Sequence, residues 1–473
     1  MIHAFGDIIG AAIIIAALAL VLLGGELWAR LGSPDPETSR KFVHLASAGV
    51  CLLFPLMVES PWVVGALAVG MAVFFGVASR FKLLASIHGV DRTSRGSEYY
   101  PLAIFLVFLL SGDEIWIYFA SVLVLGVADA CAALVGVRYG RVHYQVEEGE
   151  KSLEGSLAFF GVAFVAVGGT AWLFTDLPLL HILNISVTAA ALLTAFEAIS
   201  MKGSDNLFIP FAAAVMLEKL AVDTLFELSI QNAMLAVTSV GLALGNYLVG
   251  KLTPKRHLPF DTGGILALTL FAYATWALGS LEWMLPVFVG YLLCMAAWAL
   301  SWASNEVQVT LRVRTTYRAL LLPFAVLIVA NIFELYAVLY GPYLAACAVM
   351  LAFVTTAMLR PEPDARFYSK RLSSLVGAVA ATCVVVPAYL LDAGVGWQAP
   401  ALIIVLTGLA CGINTRITDH AELEDASYWP ASNLALIVVV TAFVYAAQHH
   451  GLISQWNAPA AGDMWRAVMD PGW

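Results

Sequence analysis

What this chain of 473 residues lacks narrows its class before any motif is read. Charge is scarce. Asp, Glu, Lys and Arg make up 12% of the residues, where a soluble domain carries about 25%. With 61% of residues hydrophobic, that shortage excludes an ordinary water-soluble fold and points to a polytopic membrane protein. Paired cysteines are missing too. Cys51, Cys131, Cys294, Cys347, Cys383 and Cys411 stand singly in apolar segments with no Cys-x-x-Cys, which argues against a disulfide frame or a zinc site. No basic residue precedes the first apolar run, Ile8 to Trp28, and the run is too long for a signal-peptide core. It reads as a retained first helix. The net charge is −9 and no nucleic-acid partner is expected; in a membrane protein the placement of charge says more than its sum.

The apolar runs that are there fall near 8–28, 42–58, 62–79, 99–111, 115–137, 157–175, 181–199, 207–224, 231–250, 262–279, 283–303, 319–335, 338–359, 372–392, 399–413 and 431–448. We expect an all-α protein of about sixteen transmembrane helices. Runs 99–111 and 399–413 are short enough for re-entrant or broken helices, and the division between 335 and 338 is open. There is no internal repeat. Polar motifs crowd the first eight spans, so the expected organisation is a catalytic domain over 1–228 and an accessory membrane domain over 229–473.

Orientation follows from the basic residues. With the N-terminus outside and the spans alternating, only Lys219 and Arg466 of the 24 Lys and Arg fall on the outer side. So strong a bias predicts a multi-pass protein of the plasma (inner) membrane, with the motif loops cytoplasmic and both termini outside.

Five groups share the cytoplasmic side in the first half. Arg40-Lys41 with His44 opens the second span. Arg95-Gly96 with Glu98, Tyr99, Tyr100 and Pro101 opens the fourth. Asp129 lies inside the fifth, with Gly136 and Gly140 at its end. Lys151, Ser152, Glu154 and Ser156 open the sixth. Glu197 lies late in the seventh, and Asp205-Asn206 with Pro210 opens the eighth. Most have an ordinary alternative. Arg40 and Lys41 suit a helix anchor, His44 an interfacial histidine, and Gly136 and Gly140 close helix packing. Asp205, Ser152 and Glu154 suit helix caps. Asp129 and Glu197 have no such account, because an ionised acid inside a membrane helix costs about 2.5–3.5 kcal/mol on insertion scales. A lysine, a hydroxyl and a carboxylate at a helix entrance, one loop away from a buried acid, suit a metal-bound polyphosphate. In the second half, Asp419-His420 with Glu422, Glu424 and Asp425 has a metal-like composition but reads as a solvated acidic loop.

The segments RKFVH at 40–44, RGSEYYPLA at 95–103, GVADACAALVGVRYG at 126–140, KSLEGS at 151–156 and DNLFIP at 205–210 occur in that order. They resemble the motifs of the dolichol kinase, phytol kinase and CTP-dependent diacylglycerol kinase family over about residues 38–225. The resemblance implies a kinase of a membrane lipid alcohol (polyprenol or dolichol, phytol-like alcohol, or diacylglycerol) that uses CTP and Mg2+ or another divalent metal. On that reading Asp129 meets the metal, with Glu154 or Asp205 helping. Lys151 and Arg95 hold phosphates, assisted by Arg40 and Lys41, and Gly136, Gly140, Ser152 and Asn206 line the nucleotide. His44 or Glu197 orients or deprotonates the acceptor hydroxyl. Two alternatives stay open. Phosphatidate cytidylyltransferases share the acid-bearing helix and a Lys-x-x-Glu-Gly element, but also carry a late His-Gly-Gly…Asp-Arg signature that this chain lacks. An amphiphile transporter or flippase would use the acids as a proton relay and would favour broken helices in both halves.

The topology is checked by cysteine accessibility. Glu148→Cys and Arg366→Cys, each in a background without the six native cysteines, should react only with reagent that reaches the cytoplasm. Labelling of position 148 from outside sealed cells would contradict the orientation.

Overall fold

The computed structural model describes residues 6–32, 36–81, 96–146, 149–200, 203–252, 258–302, 311–359, 370–392, 394–417 and 431–457. The chain is an all-α, multi-pass integral membrane protein. Thirteen helices among the described residues are long and apolar enough to cross a membrane, and Gly96–Ser111 and Thr262–Leu278 are shorter apolar helices. Every apolar run of the sequence is therefore helical. The sixteenth, Asp205–Val222, falls outside the thirteen because its 18 residues include Asp205, Glu218 and Lys219. The run at 399–413 is no fragment: polar residues at both ends extend it into the 20-residue helix Gln398–Ile417. The division expected at 335–338 lies at Phe333 to Leu335, where Glu334 adopts φ 56° between helices Val313–Ile332 and Tyr336–Leu359.

The chain forms two compact units, Met1–Ala233 and Met234–Trp473. The first contains α1 (Asp7–Leu31), α2 (Pro36–Cys51), the single turn α3 (Phe54–Met57), α4 (Pro61–Phe81), α5 (Gly96–Ser111), α6 (Ile115–Leu123) and α7 (Asp129–Tyr139). Strands β1 (His143–Val146) and β2 (Gly149–Ser152) follow as an antiparallel hairpin, then α8 (Leu153–Phe174), α9 (Leu179–Ile199) and α10 (Asp205–Val222). Helices α6 and α7 are one rod, joined by a π-turn at Val124–Ala128. The rod touches α2, α8 and α10, and its Leu125 is fully buried with Phe159, Ile185 and Ala213 in the unit's core.

The π-turn lies where α2 comes closest to the rod, and it has a local effect. A Cβ on Gly126 would stand 2.2 Å from the Ala48 methyl, so α2 reaches the rod this closely only because position 126 has no side chain. Within the turn, the Asp129 N–H donates to Val124 O, five residues back, instead of to Leu125 O, four back. That slip leaves the Leu125 carbonyl for a partner outside the rod.

In the second unit the central element is Tyr336–Leu359. It is apolar all round, and 78% of its most apolar window is buried, as expected of a helix ringed by others. Helices Leu281–Trp302, Val313–Ile332, Lys370–Leu391 and Ala431–His449 pack against it. Trp283 is fully buried there, with the Tyr340 and Tyr343 rings 5.2 and 4.7 Å away, and the Tyr343 hydroxyl donates to the Trp283 carbonyl at 2.6 Å.

Because a methyl at position 126 has no room, Gly126→Ala should destabilise the protein by about 1–3 kcal/mol. Gly161, inside α8, has nothing within 4 Å of an added Cβ, and Gly161→Ala should be neutral or stabilise by about 0.5–1 kcal/mol. Thermal unfolding in detergent compares the two. Equal melting temperatures would refute the close approach.

Candidate functional site

Asp129 begins α7 inside the membrane rod, and its charge is met by Lys41 of α2. The Lys41 Nζ lies 2.5 Å from Asp129 Oδ2, and both side chains are buried. Arg40, on the same turn of α2, adds a second positive charge that acts on Asp129. The pair accounts for how an acid is tolerated here: each ion replaces part of the water that the other has lost.

His44 completes this corner. Its Nε2 is 3.7 Å from Asp129 Oδ2 and 2.9 Å from Leu125 O, the carbonyl released by the π-turn. A carbonyl can only accept, so Nε2 carries the proton and, in the neutral ring, Nδ1 is the acceptor nitrogen. The Tyr100 ring meets the imidazole edge to face at 4.9 Å and holds its plane. Tyr100 belongs to the RGSEYYPLA segment, and its contact with His44, 56 residues away in the chain, has no local sequence signal.

A second buried acid is paired by a second lysine. Lys151, on β2, places Nζ 2.7 Å from Glu197 Oε1 and also donates to the Glu197 backbone carbonyl, at the end of α9. The hairpin that delivers Lys151 is built into the start of α8. Ser152 is the helix cap, its hydroxyl accepting from Gly155 N at 3.1 Å. The Glu154 carboxylate accepts from Val142 N, 3.3 Å from each oxygen, and closes the base of the hairpin. Gly136 and Gly140 face this same corner: a Cβ on Gly136 would meet Ser152 Oγ at 2.9 Å, and one on Gly140 would meet Ser152 Cβ at 2.8 Å. Their visible work is to let α7 and α8 touch.

The two pairs belong to one electrostatic site. Glu197 is acted on by Asp129 and Asp205 as well as by Lys151. Asp205 opens α10, accepts from Asn206 N at 3.0 Å, and is followed by the buried Asn206 side chain. Exposure separates the lysines: the Lys41 side chain is 6% exposed and that of Lys151 is 27%. Lys41 is closed off against its acid, whereas Lys151 is partly open at the protein surface.

Among the described residues no three His, Cys, Asp or Glu side chains gather closely enough to hold a metal ion alone. Glu154 is engaged at the hairpin base by the Val142 N–H. A Mg2+ that keeps waters and phosphate oxygens as ligands needs only one or two carboxylates; Asp129 and Asp205 are the two acids that act on Glu197. Arg95, and the cluster Asp419, His420, Glu422, Glu424 and Asp425, lie outside the described residues.

A curated phytol kinase from Synechocystis sp. is 35% identical to this chain over 204 residues, which are 42% of this chain and 86% of that protein. No family model matches the chain, and no solved structure matches it significantly.

The Lys41–Asp129 pair makes a stability prediction that does not depend on activity. Lys41→Met leaves a buried, unpaired carboxylate and should cost roughly 3–5 kcal/mol. Adding Asp129→Asn removes that charge and should restore much of the loss. Thermal unfolding should therefore rank wild type highest, the double variant next and Lys41→Met lowest. A double variant no more stable than Lys41→Met would mean that the two residues are not an electrostatic unit.

Proposed function

The chain belongs to the phytol kinase family, and from that premise we propose that it is a CTP-dependent kinase of a membrane lipid alcohol. The relative's name favours an isoprenoid alcohol of the phytol type over a dolichol or a diacylglycerol. The observation that carries the reading is the pair of buried acids, Asp129 and Glu197, each held by a lysine at one end of the same unit. Phosphoryl transfer asks a protein chiefly for positioning and for neutralising charge. The site lies at the cytoplasmic interface, where a soluble nucleotide can meet a hydroxyl anchored at headgroup depth.

In this mechanism Lys151, the more exposed lysine, leaves Glu197 for the phosphates of the nucleotide. Lys41 stays on Asp129 and sets that carboxylate's orientation. His44 takes the proton of the acceptor hydroxyl on Nδ1, because Leu125 O occupies Nε2–H. The acceptor oxygen forms its bond to the γ-phosphorus as the bond to the β-phosphate oxygen breaks, and CDP leaves. A divalent ion held by Asp129 and Asp205 would supply neutralising charge on the transferred group.

Following the label separates this reaction from nucleotidyl transfer. Lipid product should take label from γ-labelled CTP and none from α-labelled CTP, with release of CDP. Asp129→Asn, made together with Lys41→Met so that no lone buried charge remains, should lower turnover by about two orders of magnitude or more, the scale of losing one preorganised charge contact. Lys151→Ala should chiefly raise the KM for CTP. Lipid carrying α-label, with a lipid phosphate as the only acceptor, would establish a cytidylyltransferase instead. Label in neither form, with folded protein, metal and several lipid alcohols present, would favour the transporter reading.

A further inference from the structure

The hairpin that carries Lys151 has an anchor outside the site residues named so far. Tyr144 stands directly opposite Lys151 in the register of β1 and β2, so both side chains rise from the same face of the hairpin. The Tyr144 phenol shares a 2.6 Å hydrogen bond with the Ser156 hydroxyl, in the first turn of α8. It is half-buried, and both Lys151 and Glu197 act on it. Burial, the strongest influence, pushes the phenol above its usual range, so it stands as a neutral hydroxyl.

We propose that Tyr144 is a positioning residue for Lys151: by tying β1 to α8 through Ser156, it fixes the strand register that aims the ammonium at Glu197 and at an incoming nucleotide. The physical need is plain. A two-stranded hairpin is marginal by itself, and a lysine on a four-carbon stem loses much rotamer freedom when held. Ser152 and Glu154 anchor the end of β2 and the base of the hairpin. Tyr144 anchors the strand opposite, on the face that bears Lys151. The nucleotide part of this proposal rests on the kinase reading, so the experiment has one arm that does not.

In that arm, the detergent-solubilised full chain is treated with an acetylating reagent, and modification of Lys151 is followed by mass spectrometry with Lys219 as internal reference. Tyr144→Phe and Ser156→Ala should each raise the rate at Lys151 about fivefold, the scale of one ordinary hydrogen bond. The double variant should go no further, because both substitutions break the same bond. Unchanged rates at Lys151, or an equal rise at Lys219, would overturn the proposal. In the second arm, Tyr144→Phe should raise the KM for CTP about fivefold with kcat within about twofold, and should add nothing in a Lys151→Ala background. An additive effect there would also overturn it. If the wild-type chain transfers no phosphoryl group from CTP, the kinase reading fails while the acetylation rates still decide the role of Tyr144.

Discussion

An acid inside a bilayer must find a positive charge or a set of donors, because no water is there to solvate it. The unit Met1–Ala233 meets that constraint twice, with Lys41 on Asp129 and Lys151 on Glu197. Much of the local architecture follows. Helix α2 has to approach the α6–α7 rod closely enough for Lys41 to reach, and Gly126 provides the space against Ala48. The polar segment after α7 has to return as a hairpin so that Lys151 reaches the end of α9, and the glycine contacts of α7 with α8 bring its base into place. Removing one member of such a pair leaves a lone buried charge, which is far worse than removing both.

On the proposed kinase reading, the same arrangement would keep a resting site neutral until a highly charged ligand arrives. Both acids are balanced, so the protein folds without an uncompensated field. The two lysines differ in exposure, and that difference separates a fixed pair from one that can exchange partners. The π-turn adds a third element. By moving one helical hydrogen bond back by a residue, it frees Leu125 O, and that carbonyl sets the tautomer of His44. The orientation of His44, to which the proposed mechanism gives the acceptor proton, thus depends on an irregular turn in a helix that is otherwise continuous.

The helices were legible because bilayer thickness imposes a length and a composition on each span, and each of the apolar runs is a helix. Asp129 and Glu197 were legible for the opposite reason: their burial has a cost that no cap or anchor accounts for. Their partners were not. Lys41 is 88 residues from Asp129 and Lys151 is 46 from Glu197, and nothing local in a sequence says which lysine turns inward. Gly136 and Gly140 carried two readings, phosphate contact and helix packing, and their Cβ directions point to the second. The π-turn left no sign beyond a glycine in a helix. Tyr144 lies in the loop between the fifth and sixth apolar runs, where a four-residue strand has too few residues to show its alternation.

The central claim is that one end of the first unit, built by Lys41, Asp129, Lys151 and Glu197, receives the nucleotide. It is tested most directly by photoaffinity labelling of the full chain in membranes with a CTP analogue bearing a photoreactive group on its γ-phosphate. Mapping the adducts by mass spectrometry should place them on the hairpin His143–Ser152, the end of α9 or the start of α10, with loss of label when CTP is in excess. Adducts that CTP displaces from residues 234–473, with none on those elements, would contradict the account.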